Sequence, residues 1–252
     1  MPLPRTSLCF VVWNEKQGRE CDLPKFDFSG FDEVFAIDGG SSDGTAEVLQ
    51  AYGVTVYPQT RRSLCAAYWQ AVETSTCENI VVFFPKGTLD PSIVHRIKAL
   101  LLDGNELVVP SRQMRGGRNE EDDRIFRPRK WGVKALALIV AALWCRRGPI
   151  VWDVLHGVKG FTKQAFLDLE PSRTGVRIDL EMAARGYRLR LRICEFPVIE
   201  RTRPWGCTRF KILPTGFSLA KYLFREFRRP GPIRRFSEAA PKEVPGPVIS
   251  GE

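Results

Sequence analysis

The sequence predicts an α/β domain, a mostly parallel β-sheet covered on both faces by helices. Three observations predict it. Short apolar runs alternate with helix-like stretches through the first hundred or so residues. The strand-like runs are apolar right through, as strands buried on both faces require. Turn-forming polar residues crowd the ends of these runs, most densely in FAIDGGSSDGT, Phe35 to Thr45.

The elements follow in order. Ser7–Glu15 (SLCFVVWNE) reads as a buried strand with a polar end, and Asp32–Asp38 (DEVFAID) as a second. TAEVLQAYG is a helix closed by Gly53, with Ser42 or Asp43 as its cap. Val54–Pro58 is the third strand, and Arg61–Ser75 a helix with Leu64, Tyr68 and Val72 at spacing four. Asn79–Pro85 is the fourth strand. Asp90–Gly104 is a helix with Pro91 in its first turn, and Glu106–Arg112 is the fifth strand. From Gln113 a long loop carries both signs of charge. An apolar helix, Val133–Trp144, follows, and its composition suits burial or a lipid interface, burial being the simpler expectation. Helices at Thr162–Leu169 and Gly175–Arg185 come next. Leu189, Leu191 and Ile193 then alternate with Arg188, Arg190 and Arg192, the period of a strand with one wet face. Phe217–Arg229 is a basic amphipathic helix whose Phe217, Ala220, Phe224 and Phe227 form a stripe for the core. The polybasic run on to Arg235 suits an anionic membrane surface instead. The expected organisation is one domain over 1–230, split into halves at 112 and 113, with a disordered Pro-rich tail over 231–252.

Length and charge bound the function. A chain of 252 residues can bury one substantial core. Its net charge of +9 points to a polyanionic partner: nucleic acid, an anionic membrane or a phosphorylated ligand. Nucleic acid is set aside, since no aromatic-and-basic motif or helix-turn-helix pattern is present. Seven cysteines without paired spacing argue against zinc and for reduced thiols. The start of the chain lacks a signal-peptide layout, and the longest apolar run, Ala135–Cys145, falls well short of the ~20 residues that span a bilayer. The expectation is a cytoplasmic protein, soluble or peripheral at the inner membrane face.

Ligands of open α/β sheets bind beyond the carboxyl ends of the strands. Asn14–Glu15, Asp38 and Pro85–Thr88 should therefore meet in one crevice. A carboxylate there, acting only as an acceptor, suits a ribose diol or a base N–H. Gly39, Gly40 and Gly44 allow tight turning. A plain capped strand-to-helix turn explains the same residues, whereas a dinucleotide loop does not, because GxGxxG is missing.

VVWNE, FAIDGGSSDGT, FFPKGTLDP and VVPSRQMRGG occur in that order, followed by WDVLHGVKGFTKQAF, GYRLRLRICEFPVIERT and GCTRFK. This set resembles the inverting glycosyltransferases of family 2, which have the GT-A fold, and within them the dolichyl-phosphate mannosyltransferase-like branch. The resemblance implies a nucleoside-diphosphate sugar held by the first half, with Asn14, Glu15, Asp38, Gly39, Asp43 and Lys86 as its contacts. The family's fourth strand ends in an acidic metal-binding signature, and Lys86 occupies that acid's position. A divalent metal, Mg or Mn, is therefore doubtful, and no metal ligand is assigned. Asp90 precedes Pro and suits a helix cap. Either Lys86 replaces the metal as a fixed cation beside the diphosphate, or the chain is a catalytically silent nucleotide-sugar binder or scaffold. A nucleotidyltransferase is the weaker enzymatic alternative.

The second half should hold the acceptor. A hydroxyl acceptor needs a general base, for which Asp153, Asp179 and Glu181 are candidates. A polyprenyl phosphate needs only cations to position it. The resemblance implies Arg112, Arg129, Lys134, His156, Lys159 and Arg209 on the acceptor side, with Lys86, Arg112 and Asp153 as the catalytic set. For most of these arginines a solvated loop balanced by nearby acids explains the charge as well. Arg112 differs because it directly ends a strand.

Overall fold

The computed structural model describes residues 3–120, 122, 126–146, 148–202, 205 and 212–229. Its strands are β1 (Thr6–Val12), β2 (Glu33–Asp38), β3 (Thr55–Pro58), β4 (Asn79–Phe83), β5 (Leu107–Ser111), β6 (Lys159–Thr162) and β7 (Ile193–Pro197). Its helices are α1 (Lys16–Asp22), α2 (Thr45–Ala51), α3 (Leu64–Thr74), α4 (Ile93–Leu102), α5 (Pro128–Trp144), α6 (Lys163–Leu169), α7 (Ile178–Leu189) and α8 (Ile212–Phe227). All seven strands join one sheet in the order β3-β2-β1-β4-β6-β5-β7. Only β6 runs antiparallel to its neighbours. The expected α/β architecture, a mostly parallel sheet flanked by helices, is what the chain adopts.

Local chemistry explains the element ends. The Ser63 hydroxyl accepts from the Ala66 amide at 3.1 Å and opens α3, and Thr162 does the same for α6. Buried Val94, Ile97 and Leu101 line the core-facing side of α4 at helical spacing. One core layer lies between the sheet and α2, α4 and the turn after α1, built on Phe10, Leu23, Leu49 and Ile97. The other holds α3 and α5 to α8, around Tyr68, Phe161 and Phe166. Phe10 meets Phe26 edge-on at 5.1 Å and Phe83 at 6.3 Å. Removing such a ring from a dense core costs about 3–5 kcal/mol.

Several expectations are corrected. The Leu/Arg alternation around residue 190 does not mark a strand. α7 runs to Leu189, Arg190 takes the left-handed conformation (φ 55°) that closes it, and the strand starts at Ile193. Leu189 and Leu191 are buried because they flank the helix cap, which mimics a period of two. α5 begins at Pro128 and buries Ala137, Val140 and Ala141, while Leu138 and Ile139 are half exposed, so it is not buried all round. On α8 the expected core stripe faces outward: Phe217, Phe224 and Phe227 are exposed, and Leu219, Tyr222 and Glu226 are buried instead. α1 and β6 had no counterpart in the sequence reading. No described helix is long and apolar enough to cross a membrane. None of the described cysteines forms a disulfide. The tail expected over 231–252 lies outside the described residues, as does Arg209.

Candidate active site

The register fixes where the crevice lies. Val12 pairs with Asp38 across β1 and β2, and Phe10 with Phe83 across β1 and β4. Asp38 and the Pro85–Thr88 turn therefore leave the same edge of the sheet, on either side of β1. At a spacing of about 4.8 Å per strand, they are roughly 10 Å apart across the sheet.

The β2 side is wired by backbone and hydroxyl groups. Asp38 is largely buried and accepts from the Ser41 amide at 3.0 Å and from the Ser41 hydroxyl. Asn14 is left-handed (φ 48°), its amide donates to Ser41 Oγ, and its side-chain oxygen accepts from the Ser42 amide, both at 2.8 Å. Asp43 accepts from the amides of Lys16 (3.0 Å) and Thr45 (3.1 Å) and from the Thr45 hydroxyl. It staples the turn, and Gly44, at φ 85°, supplies the left-handed step into α2. Gly39 N donates to Val12 O at 2.8 Å, which closes the turn onto β1. The amide of Glu15 donates to Thr45 Oγ1 at 3.1 Å.

Behind this turn α1 joins both sides. Arg19 is fully buried, touches Thr45 Oγ1 at 2.5 Å, and leaves its Nε and Nη1 without partners among the described residues. Burial lowers its guanidinium to about 10, against the opposing pull of Asp43, Glu15 and Asp38. A Cβ on Gly18 would lie 2.6 Å from Pro85 O and 2.9 Å from Lys86 Cα, so only glycine lets α1 approach the Lys86 turn this closely. Asp22 accepts from Gly87 N at 2.8 Å, and burial pushes its carboxyl up to about 6.

The β5 side is built from charges. Arg112 donates from Nε (2.7 Å) and Nη2 (2.9 Å) to Asp153 and from Nη1 (2.8 Å) to Glu200. Glu200 also accepts from Thr88 Oγ1 at 3.2 Å. Burial raises the Asp153 carboxyl, but the Arg112 charge outweighs it and holds it at about 2. Burial likewise works against the Glu200 carboxylate, and Arg112, His156 and Lys86 together lower it. His156 is buried behind this cluster, and desolvation with the Arg112 charge pushes it down to about 4. Its ring is therefore neutral at pH 7, with Nδ1 3.0 Å from Val158 O. Glu195 accepts from the amides of Trp152 (2.9 Å) and Asp153 (2.8 Å), fixing the segment that carries Asp153. Lys159 Nζ lies 2.7 Å from Asp179 Oδ1 with both side chains buried, and burial raises the Asp179 carboxyl despite that ammonium.

Of the residues expected at the site, Lys86, Arg112, Asp153 and His156 come together around Glu200. Asn14, Glu15, Asp38, Gly39 and Asp43 share the opposing turn. Three roles change. Asp153 is clamped by Arg112 and is no free base. Lys159 is buried against Asp179 and does not face an acceptor. Asp43 is spent on the turn itself. Arg129 is exposed on α5 and pairs with Glu120 at 3.3 Å, while Lys134 is half-buried further along that helix. Glu181 is fully buried on the Ser172 amide (2.6 Å) and Arg177 (3.2 Å), a structural role that removes it from the base candidates. Glu200, Glu195, Arg19 and Asp22 had no role in the sequence reading.

The sequence pattern described as glycosyl transferase family 2 matches residues 27–166, more than half of the chain. The chain belongs to glycosyl transferase family 2. Among relatives of this family 2 chain is the glycosyltransferase AglJ of Haloferax volcanii, 26% identical over 246 residues, which covers 94% of this chain and 77% of AglJ. An uncharacterized protein of Methanocaldococcus jannaschii is 23% identical over 222 residues, covering 83% of this chain and 88% of that one. Among solved structures, glucosyl-3-phosphoglycerate synthase of Mycobacterium tuberculosis, in complex with Mn2+, UDP-glucose and phosphoglyceric acid, superposes with a TM-score of 0.68. At 18% identity, over 90% of this chain and 81% of that one, it shows that the two share the GT-A-type fold.

Mn2+ in that neighbour calls for a test of fit. Around Lys86 the acids are already engaged: Asp22 on Gly87 N, Glu200 on Arg112, and Asp90 on the Ser92 amide at 2.9 Å. No group of three His, Cys, Asp or Glu side chains among the described residues is arranged to hold a metal. The acids around Lys86 are thus committed to other partners, and no chemical step here is routed through a divalent ion.

Proposed function

We propose that this family 2 glycosyltransferase, which takes its sugar from a nucleotide sugar, is an inverting enzyme. In this reading the acceptor is a polyprenyl phosphate at the cytoplasmic membrane face. One observation carries the choice of acceptor: Asp153 and Glu200 are engaged by Arg112, Asp179 by Lys159 and Glu195 by backbone amides, while Arg112 itself keeps donors to spare. Three of its five N–H groups are used by Asp153 and Glu200, so two remain to orient an anionic acceptor.

The donor nucleoside sits against Asn14 and Asp38. Asp38 spends two of its roughly four acceptor positions on Ser41 and keeps the others for a ribose or base. The acceptor phosphate, already ionised, attacks the anomeric carbon from the side opposite the leaving group. A new carbon–oxygen bond forms, the bond to the diphosphate breaks, and the electron pair leaves with the diphosphate. No base is required. Lys86, on the turn that faces the donor, neutralises the charge arriving on that diphosphate. Asp153, Glu195 and Glu200 act through Arg112 by fixing its position.

A hydroxyl acceptor is the second reading, favoured by the raised carboxyl of Asp179, which would serve as its base once parted from Lys159. A panel of UDP- and GDP-sugars, assayed for nucleoside diphosphate release with a polyprenyl phosphate and with soluble hydroxyl acceptors, decides between them. Release that requires the lipid phosphate and survives Asp179→Asn supports the proposal. Release that requires a hydroxyl and is abolished by Asp179→Asn overturns it. No release with any donor and acceptor, alongside measurable nucleotide binding, would make the chain a silent binder.

A further inference from the structure

A cavity of about 370 Å³ opens between α7 and α8, and it shares no lining residue with the crevice described above. Six cationic side chains line it, Arg177, Arg185, Lys221, Arg225, Arg228 and Arg229, against a single carboxylate, Glu226. That carboxylate is consumed internally, by Arg185 at 3.1 Å and Arg188 at 2.7 Å. Arg177 is engaged by Glu181 and Arg229 by Glu170, at 3.2 and 3.4 Å. Lys221 and Arg225 have no ion-pair partner among the described residues. Tyr222, only 5% exposed, also lines the cavity, and its buried hydroxyl has no hydrogen-bond partner among the described residues.

Like charges gathered around a cavity repel, and an unpaired buried hydroxyl costs free energy. Both penalties vanish if an oxyanion enters, which accepts from Tyr222 and neutralises Lys221 and Arg225. The surface beside the mouth indicates how the anion arrives. Phe217, Lys221, Phe224 and Arg228 follow one line of α8 at spacings of four, three and four, so exposed rings alternate with cations along the rim. Phe217, Phe224 and Phe227 are 74, 58 and 63% exposed. Exposed aromatic rings beside cations form the pattern of a helix lying in a membrane interface, rings among the acyl chains and cations at the phosphates.

We propose that this cavity is a second, non-catalytic site that binds the phosphate group of an anionic membrane lipid. It deepens the membrane-face part of the function proposed above, and it stands or falls apart from the choice of acceptor. Flotation of the full chain with phosphatidylcholine vesicles, with and without phosphatidylglycerol, tests it. The variants are Lys221→Gln/Arg225→Gln and a control, Arg5→Gln/Arg192→Gln, which removes the same charge from exposed sites elsewhere. With each cation near an anionic surface adding a few-fold, the cavity pair should lose about tenfold or more of its anionic-vesicle binding. The control should lose less than about threefold, because diffuse attraction falls off within a Debye length. Thermal melting and UDP or GDP binding should match the parent in both.

Equal losses in the two pairs would overturn the site, since the binding would then follow net charge alone. Absence of binding to anionic vesicles by the parent chain would overturn it as well. Saturable binding of inorganic phosphate, abolished by the cavity pair while vesicles go unbound, would overturn the lipid source and reveal a soluble phosphate ligand. Cavity-dependent vesicle binding in a chain that transfers sugar only to hydroxyls would leave this site standing and remove the polyprenyl acceptor. Transfer to a detergent-dispersed polyprenyl phosphate by a chain that ignores vesicles would do the reverse.

Discussion

On the β2 side of the crevice, Asp38 and Asn14 are held by a serine hydroxyl and backbone amides and keep acceptor capacity to spare. On the β5 side, Arg112, Asp153, Glu200, Lys159 and Asp179 are spent largely on one another. The first wall is two short stretches, Asn14–Lys16 and Asp38–Thr45, tied to each other by hydrogen bonds. The second gathers groups from five places, Lys86, Arg112, Asp153, Lys159 and Glu200, spread over more than a hundred residues. A wall of hydrogen bonds tolerates the loss of one partner and changes what it binds. A wall of buried charges does not tolerate it, because the partner left behind has neither water nor counter-charge.

The largest effect that would sharpen this contrast is Arg112→Met. It strands Asp153, whose side chain is fully buried, and should cost about 3–5 kcal/mol by denaturant unfolding. The same pair sets an acid limit. The Asp153 carboxyl is held at about 2, below its unfolded value, so its stabilising contribution is complete above about pH 5 and disappears as the pH falls toward 2. The double variant Arg112→Met/Asp153→Leu should recover much of the lost stability, and that acid-linked portion should be missing from its pH profile. A single Arg112→Met variant as stable as the parent would end the contrast.

On the other wall, Asp38→Asn should leave the melting temperature within a few degrees of the parent. Nucleotide affinity should fall by about ten- to a hundredfold, the worth of one hydrogen bond to a charged group. Calorimetry with UDP and GDP reads this directly. A loss of folding rather than affinity would show that the two walls are not different in kind.

How much of this was legible follows the same division. The turn from Phe35 to Thr45 announced itself, because its small polar residues, glycines and acid lie together in sequence and the parallel strands fix which edge they occupy. Arg112 was legible as the residue that ends a strand. Its clamp was not, because Asp153 and Glu200 are 41 and 88 residues further along and no spacing rule links them. Lys159 was placed on the acceptor side by the resemblance alone, since nothing in the sequence gives the burial of β6. α1 escaped notice because KQGRECD has no apolar stripe. It forms where Gly18 lets it press on the Lys86 turn, a contact no local pattern encodes.

α1 touches both walls, and two smaller predictions probe it. Gly18→Ala forces a methyl group against Pro85 O, a backbone atom that cannot swing away, and should cost about 1–3 kcal/mol. Turnover should fall further than that loss of stability explains, because the Lys86 turn moves with it. Asp22→Asn should have the smallest effect, seen only through pH. Burial raises the Asp22 carboxyl to about 6, above its unfolded value, so the protein loses stability as pH rises from about 4 through 6. The amide variant should flatten that part of the curve, as measured by unfolding across the range. An unchanged slope would place the titration elsewhere.

The central claim is that Lys86 stands beside the donor diphosphate and supplies the positive charge the transfer needs. Initial rates for the parent and for Lys86→Met, each with EDTA and with added Mn2+, test it most directly. The claim predicts that the parent turns over undiminished in EDTA and that Lys86→Met loses about a hundred- to a thousandfold in kcat while still binding nucleotide. A parent that is inactive in EDTA and fully restored by Mn2+, with Lys86→Met equally active, would contradict it.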